Sequence, residues 1–501
     1  MSLFPMIASQ ARVRLVQAGV ALGAAALVAG CGSAYRSVVT PVNPSGPAAQ
    51  PTSLAAVVSA PSPTTDGIVT IIDYSGDTVM ATAPIGPSPT AFTLDATGST
   101  GYAVNSDGPQ TNFQISTYLQ EKNLQFTTLA TTSRPVGLFS PSTGLWAADL
   151  DGNIADIFTG YPETFQLAVP VAATPVTVVG PSAGLRNYVI SQVGDSNGVD
   201  CNNSPRTAST GLATGIEIAN HAPDTPIPVG KCPVYAVQSS DIKRLFVLNR
   251  GDDTITVINS QDNSLDACIP FTNQNGQKVT CHPTLPLSTS AVLATGIVPP
   301  NGTTGMALTA GPVYAEYLST SSQLVVADYD GGTISVIDVS MDEYGNDSAT
   351  FGTTFTIPVG QNPASKPYPS SVTALSDGSR AYTSNQADGT VAVVNLSSHT
   401  VEKWLGVVGH PRTVVSTSNS LYGKVYVASP DSPYLTIIRT DQDIVDTTIL
   451  IEGNIVDVRV STQNGNKGNN NVNSRIPGYG QPCYLPPTGT PTTLVACQTM
   501  P

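Results

Sequence analysis

The stretch TISVID, Thr333 to Asp338, decides the fold when it is read with the residues on its C-terminal side. After it come a strand ending IPVG at Ile357 to Gly360 and the run SVTALSDGSRAYTSN over Ser371 to Asn385. Apolar residues alternate with small polar ones through each piece, which is the period of a strand with one buried face. The series recurs at roughly forty-residue intervals, and a unit that short cannot bury its own apolar face, so the copies must pack on one another.

Working outward, the TISVID element has counterparts at IVTIID (Ile68), FQISTY (Phe113), IADIFT (Ile154), GIEIAN (Gly215), TITVIN (Thr254), TVAVVN (Thr390) and LTIIRT (Leu435). Between them lies a strand opened by proline, at Pro89, Pro135, Pro175, Pro233, Pro312, Pro369 and Pro411, and without the proline at NIVDVRVS (Asn454). Proline suits the first residue of a strand because no ladder hydrogen bond is lost there. A third element follows each: GYAVN, LWAAD, NYVIS, LFVLN, LVVAD, AYTSN and VYVAS. No long helical pattern competes. Four short antiparallel strands per unit, repeated in a ring, is an all-β fold, the β-propeller, with an open solenoid as the alternative.

The phase of the repeat bears on closure. The chain enters on the third and fourth strands of a unit, IVTIID and TVMATA (Ile68 to Ala83), and leaves on a first strand, NIVDVRVS (Asn454 to Ser461). One blade shared between the two ends would close the ring, and with the units from Pro89 to about Ile451 it predicts eight blades, seven being the alternative. The second strand of the shared blade is not evident, unless TTLVACQ (Thr492 to Gln498) supplies it.

These passages resemble the YVTN family of β-propeller repeat proteins found in surface-layer and secreted proteins. TISVID, IPVG, LSDGSRAYTSN and KVYVAS carry the likeness, which covers about residues 67–461 and is loose over Phe113 to Val193. The resemblance implies a propeller outside the cytoplasm. It carries over no catalytic residue, because that motif is structural.

The N-terminus carries Arg12 and Arg14, an uncharged apolar run from Leu15 to Ala29, then Gly30 and Cys31. That order describes a secretory signal over residues 1–30 rather than a membrane span, which would need about 20 apolar residues. Val28 to Cys31 resembles the lipobox of bacterial lipoproteins, which implies that Cys31 is lipidated. Acyl chains contribute about 0.8 kcal/mol per buried methylene, so several hold a soluble domain at a bilayer. Gly32 and Ser33 follow with no neighbouring Asp, and the same resemblance implies the outer membrane. Residues 31–66, rich in Pro, Ser, Ala and Thr, read as a stalk.

With Cys31 set aside, six cysteines remain, an even set suited to an oxidising compartment. Sequential pairing is the simplest scheme: Cys201 with Cys232, Cys268 with Cys281, and Cys483 with Cys497. The last pair lies in an Asn-, Gly- and Pro-rich tail, residues 462–501. A cysteine metal site is the alternative, but CxxC spacing is absent.

Composition limits the partners. Net charge is −14 with 11% charged residues and no basic stripe, which argues against nucleic acid. A monomer is expected.

Motifs for chemistry are sparse. Gly180-Pro-Ser-Ala-Gly184 matches G-x-S-x-G, yet it falls between two strands, and a nucleophile elbow needs a strand-to-helix turn. None of the four histidines, His221, His282, His399 and His410, pairs with another at ligand spacing. His410 precedes an innermost strand and is the ligand-site candidate. Asp149 and Asp151, like Asp328 and Asp330, place carboxylates two apart as calcium loops do, although Asp-Gly is also ordinary hairpin-turn chemistry. No cofactor is expected beyond calcium at these pairs. Arg250-Gly-Asp252 spells an adhesion tripeptide at a turn where Gly and Asp are expected anyway.

Two long connections, Gly194 to Thr214 and about Thr272 to Gly311, are expected on one face of the ring. There they would form a recognition surface for a glycan or a protein. Two function classes remain: a non-catalytic binding or scaffolding propeller of the envelope, or a propeller enzyme such as a lactonase or a quinone-dependent dehydrogenase.

Overall fold

Each repeat folds as a four-stranded antiparallel sheet, and eight such sheets are present. The computed structural model describes residues 54–461, apart from 63–64, 96–99, 107–112, 120–123, 129–132, 141–143, 161–163, 182–183, 194–200, 202–209, 273–274, 288–309, 363–365 and 418–419. In chain order the blades are blade 2 (Pro89 to Thr128), blade 3 (Pro135 to Pro170), blade 4 (Pro175 to Lys231), blade 5 (Pro233 to Pro286), blade 6 (Pro312 to Pro358), blade 7 (Pro369 to Gly406) and blade 8 (Thr413 to Leu450). Blade 1 joins both chain ends: Asn454–Val460 is its first strand, then Leu54–Ala60, Asp66–Asp73 and Val79–Pro87. First strands pack one on the next from blade 1 through blade 8 and back to blade 1, so the ring is closed and has eight blades.

The second strand of blade 1 corrects the sequence reading. Leu54–Ala60, LAAVVSA, fills that place, pairing Val57 with both Val458 and Thr70. It lies inside the segment read as stalk, and the alternative, Thr492 to Gln498, lies outside the described residues. The reason is physical: all seven residues are buried, because a second strand sits between two strands and two neighbouring blades. A strand buried on both faces shows no alternation to read.

The proline strands explain how blades are joined. Pro89, Pro135, Pro175, Pro233, Pro312 and Pro369 pair with a residue at the end of the second strand, respectively Asn105, Asp149, Ser191, Asn249, Asp328 and Asn385, and the register shifts immediately after each proline. In five blades the preceding residue is left-handed: Ser88, Thr174, Cys232, Gly311 and Tyr368, with φ between +45° and +58°. The kink carries the chain from the rim of one blade to the axis of the next. Only glycine adopts it without strain, and at Gly311 a Cβ would also lie 2.0 Å from Asp330.

The core lies between blades rather than within one. Tyr102, Tyr188, Tyr382 and Tyr426, the tyrosines of the Y-V-x-N-like strands, are 2% exposed or less. Blade 5 departs from the pattern at its outer edge, where Ser264–Leu265 and Thr284–Pro286 both pair with the third strand, Thr254–Asn259. Between them the chain makes an excursion with a hairpin of Phe271–Thr272 against Lys278–Val279, closed by the Cys268–Cys281 disulfide. The long connection expected on one face is therefore two things. Its first part is this lateral excursion, and residues 288–309 lie outside the described residues.

Connections from fourth to first strands and from second to third strands emerge on one face, here the entry face; the others emerge on the exit face. Leu54 and Ser461 exchange bonds at the exit face, the Leu54 N–H donating to Ser461 Oγ at 2.8 Å and the Ser461 N–H to the Leu54 carbonyl at 2.8 Å.

Candidate functional site

The first strands present their axial edge, whose backbone groups have no ladder partner and need others. From blade 6 round to blade 1 the neighbouring first strand supplies them. Glu316 accepts from the Ala374 N–H at 2.8 Å. Ser371 Oγ accepts from the Val414 N–H at 3.2 Å, and Thr373 Oγ1 from the Ser416 N–H at 3.1 Å. The Arg412 guanidinium donates to the Val456 carbonyl. Asp457 and Arg459 pair at 2.9 Å, both buried. Opposite, Tyr235 stacks on Tyr314 with centroids 4.8 Å apart. Burial pushes the Tyr235 phenol well above its ordinary range; Tyr314 adds to that, and the Arg459 charge opposes it. Charged groups of the axial strands are thus committed to one another or to backbone.

The rim of the entry face carries a different arrangement. His410 Nδ1 lies 2.5 Å from Asp431 Oδ2, and the His410 N–H donates to Asp431 Oδ1 at 2.8 Å. Asp431 sits in the turn after the second strand of blade 8, and His410 stands just before its first strand, so topology brings them to one edge. Gly409 allows the contact: at φ +76° it has no Cβ, which would fall 2.6 Å from Asp431 Oδ1. The hydrogen bond to Asp431 is the main cause raising the imidazole's pKa, with burial opposing. Burial pushes the Asp431 carboxyl up, but bonds to His410 outweigh it and leave it below its ordinary value. With Nδ1 held, Nε2 is the nitrogen offered to a ligand, on a side chain 31% exposed.

The calcium pairs are not assembled as pairs. Asp330 is gripped by Arg250 through two bonds, Nε to Oδ2 at 2.9 Å and Nη2 to Oδ1 at 3.0 Å. That contact also absorbs the arginine of the adhesion tripeptide. Asp328 turns inward to accept from Ser335 at 2.6 Å and Thr333 at 3.2 Å. Asp149 Oδ1 takes the N–H groups of Arg134, Asp151 and Gly152, while exposed Asp151 pairs with Arg134. Among the described residues no three histidine, cysteine or carboxylate side chains converge as a metal needs. Cys201–Cys232 and Cys268–Cys281 form as paired in sequence; Cys31, Cys483 and Cys497 lie outside the described residues. The segment Gly180 to Gly184 joins two strands of blade 4, as expected.

Sequence reasoning missed the clasps of the exit face. The residue opening a second strand grips the third-to-fourth connection of the next blade: Arg244 to Asp347 at 3.4 Å, Arg380 to Asp443, and Lys424 to Asp77 at 2.6 Å. The last of these ties blade 8 to blade 1. A basic residue just before the Y-V-x-N-like strand, in KRLFVLN, SRAYTSN and GKVYVAS, was the available signal. Around Arg244 gather Asp266 at 3.1 Å and His282, whose Nδ1 lies 2.7 Å from Asp347. Burial, against the opposing charge of Arg244, raises the Asp266 carboxyl to about 6.

No protein-family model matches the sequence, and no curated protein does. Solved structures do resemble it. Apo AztD from Citrobacter koseri superposes with a TM-score of 0.51 at 12% identity, over 81% of this chain and 97% of that one. The dihydro-heme d1 dehydrogenase NirN, in complex with DHE, gives 0.53 at 14% identity, over 85% of this chain and 78% of that one. At such identities the likeness is one of fold, and the fold is the β-propeller.

Proposed function

We propose that this chain is a YVTN-type propeller lipoprotein of the bacterial envelope, held through Cys31 at the outer membrane and acting as a monomeric, non-catalytic binding module. The observation that carries the binding reading is the commitment of the axial charged side chains to inter-blade bonds, which leaves no set of free acids and bases facing the channel among the described residues. The entry face is the recognition surface. It carries the His410–Asp431 pair and the connection anchored by Cys201–Cys232, and the chain meets the ring on the opposite face, at Leu54. Its ligand is polar, a glycan or a protein segment that accepts or donates at His410 Nε2.

The second reading, a propeller hydrolase such as a lactonase, rests on the same pair, because a carboxylate-held imidazole is also how a general base is oriented. One experiment separates them. Purified protein and His410→Ala are assayed against a lactone panel, and wild type and a Cys31→Ser variant are fractionated from cells. No turnover by either protein, with wild type in the outer membrane and the Cys31 variant released from it, supports the proposal. Turnover lost in His410→Ala replaces it with the hydrolase, and an unchanged distribution of the Cys31 variant ends the lipoprotein reading.

A further inference from the structure

The fourth strands of a propeller form its outer wall, and on blades 5 to 7 that wall carries oriented aromatic rings. Phe271 lies in the disulfide-closed excursion of blade 5 and is 47% exposed; Tyr344, in the third-to-fourth connection of blade 6, is 62% exposed. The two neighbourhoods touch, since Asn275 Nδ2 reaches the Tyr344 hydroxyl at 3.4 Å. The same connection feeds the outer strand Thr354–Pro358. On it the Phe355 ring, 45% exposed, lies flat on His399 of blade 7, centroids 3.7 Å apart and planes within 9°. Trp404, on the outer strand Thr400–Gly406 of blade 7, is 37% exposed and fixed by its indole N–H, which donates to the Val359 carbonyl at 2.7 Å.

These two outer strands lie side by side. Phe355 and Val359 are four residues apart on an extended chain, so the Trp404 indole is anchored about 13 Å along the backbone from Phe355, and both rings stand where the outer strands of blades 6 and 7 meet. Each ring is fixed by a partner and still shows much of its surface to solvent. They do not merge into the contiguous apolar patch that a protein or lipid surface would cover. Burial lowers the pKa of His399 and so favours its uncharged form. Spaced, rigid rings beside an uncharged imidazole suit a ligand whose own surface alternates apolar C–H faces with hydroxyls.

We propose that the cleft between the outer strands of blades 6 and 7, extended by Tyr344 and Phe271, binds an oligosaccharide whose pyranose rings stack on Trp404 and Phe355. The site is independent of the entry face and of the reading given to His410. It is tested with the full-length protein in detergent on an array of bacterial and plant oligosaccharides, followed by calorimetric titration of the strongest responder. Phe355→Ala and Trp404→Ala are each expected to weaken binding roughly tenfold or more, and Tyr344→Ala less. Met80→Ala, at an exposed position on the outer strand of blade 1, should bind as wild type does. Because Trp404→Ala also removes the bond to Val359, Trp404→Phe serves beside it, expected to keep most of the affinity. Tyr344 is exposed enough for its loss not to disturb folding. The proposal is overturned if no oligosaccharide on the array is retained, if binding survives all three alanine variants, or if it is lost in His410→Ala instead, which would move the site to the entry face.

Discussion

Blades 7 and 6 end their second strands on Asn385 and Asp328, and the exchange of an amide for a carboxyl turns a donor into an acceptor at the same buried place. Asn385 Nδ2 donates to the Val359 carbonyl of the preceding blade at 2.7 Å and to Thr390 Oγ1 at 3.3 Å. Asn249 of blade 5 does likewise with Thr254 and Thr256, at 3.1 and 2.9 Å. As a carboxylate Asp328 can only accept, and the sequence around it has adjusted: Ser335 donates where blade 7 has Ala392. One repeat position thus donates when it is Asn, to its own third strand at Asn249 and also to the preceding blade at Asn385. When it is Asp it stores a proton, for burial raises the Asp328 carboxyl to about 8 against the help of Ser335 and Thr333.

The largest effect should come from forcing blade 7 into the pattern of blade 6. Asn385→Asp would set a carboxylate against the Val359 carbonyl with Thr390 as its one side-chain donor, and stability at pH 8 should fall by several kcal/mol, on the order of 3 to 5. The loss should shrink in acid, where the new carboxyl is protonated. Chemical denaturation at pH 4.5 and pH 8 measures both, and equal losses at the two values would contradict the account.

The reverse exchange should stabilise. Because the Asp328 carboxyl is raised from 3.8 to about 8 in the folded state, its contribution is fully present below pH 3.8 and is lost as pH rises through about 8. Asp328→Asn removes that slope, so the variant should gain roughly 2 to 4 kcal/mol at pH 8 and almost nothing near pH 4. A melting temperature that rises equally at both pH values would point to packing instead.

Blade 3 shows a third solution. There Asp156 stands where Ser335 and Thr256 stand in blades 6 and 5, diagonal across the ladder to Asp149, whose Oδ2 is buried without a hydrogen-bond partner. Burial first, then the Asp149 charge, raises Asp156 from 3.8 to about 7. This contribution too is present below pH 3.8 and fades as pH climbs through about 7. Asp156→Ser supplies a donor and removes a charge, and at pH 8 it should gain about 1 to 3 kcal/mol. A loss at pH 8 would show that the second carboxylate has a partner of its own.

How much of this was legible depended on which faces of a strand are wet. TISVID and the proline strands announced the ring because alternation and punctuation survive where one side of the chain meets a turn or solvent. Leu54–Ala60 hid in a Pro- and Ala-rich stretch because a strand enclosed on both sides needs no alternation. The Cys201–Cys232 and Cys268–Cys281 pairs were readable from their positions on the blade map. The partnership of His410 with Asp431 was not, since 21 residues and a hairpin separate them. Nor was that of Asp149 with Asp156, because the residue two along, Asp151, is nearer in sequence but turned to solvent. Trp404 and Phe355 meet only through the packing of neighbouring blades.

The two copies of IPVG carry the comparison to its smallest effect, and they show that identical letters need not mean identical packing. In Ile227 to Gly230 the glycine lies under the next blade's asparagine: a Cβ on Gly230 would fall 2.6 Å from Asn249 Nδ2. In Ile357 to Gly360 the asparagine bonds the valine carbonyl instead, and a Cβ on Gly360 would meet Pro367 Cδ at 3.3 Å. Neither glycine has the left-handed backbone that would forbid a side chain, so the difference between them is one of space alone. Gly230→Ala should therefore displace Asn249 from Thr254 and Thr256 and cost about 1 to 3 kcal/mol, while Gly360→Ala should cost less than half as much. Equal costs would mean that the glycine of this motif is held by the turn it occupies and not by the asparagine of the following blade.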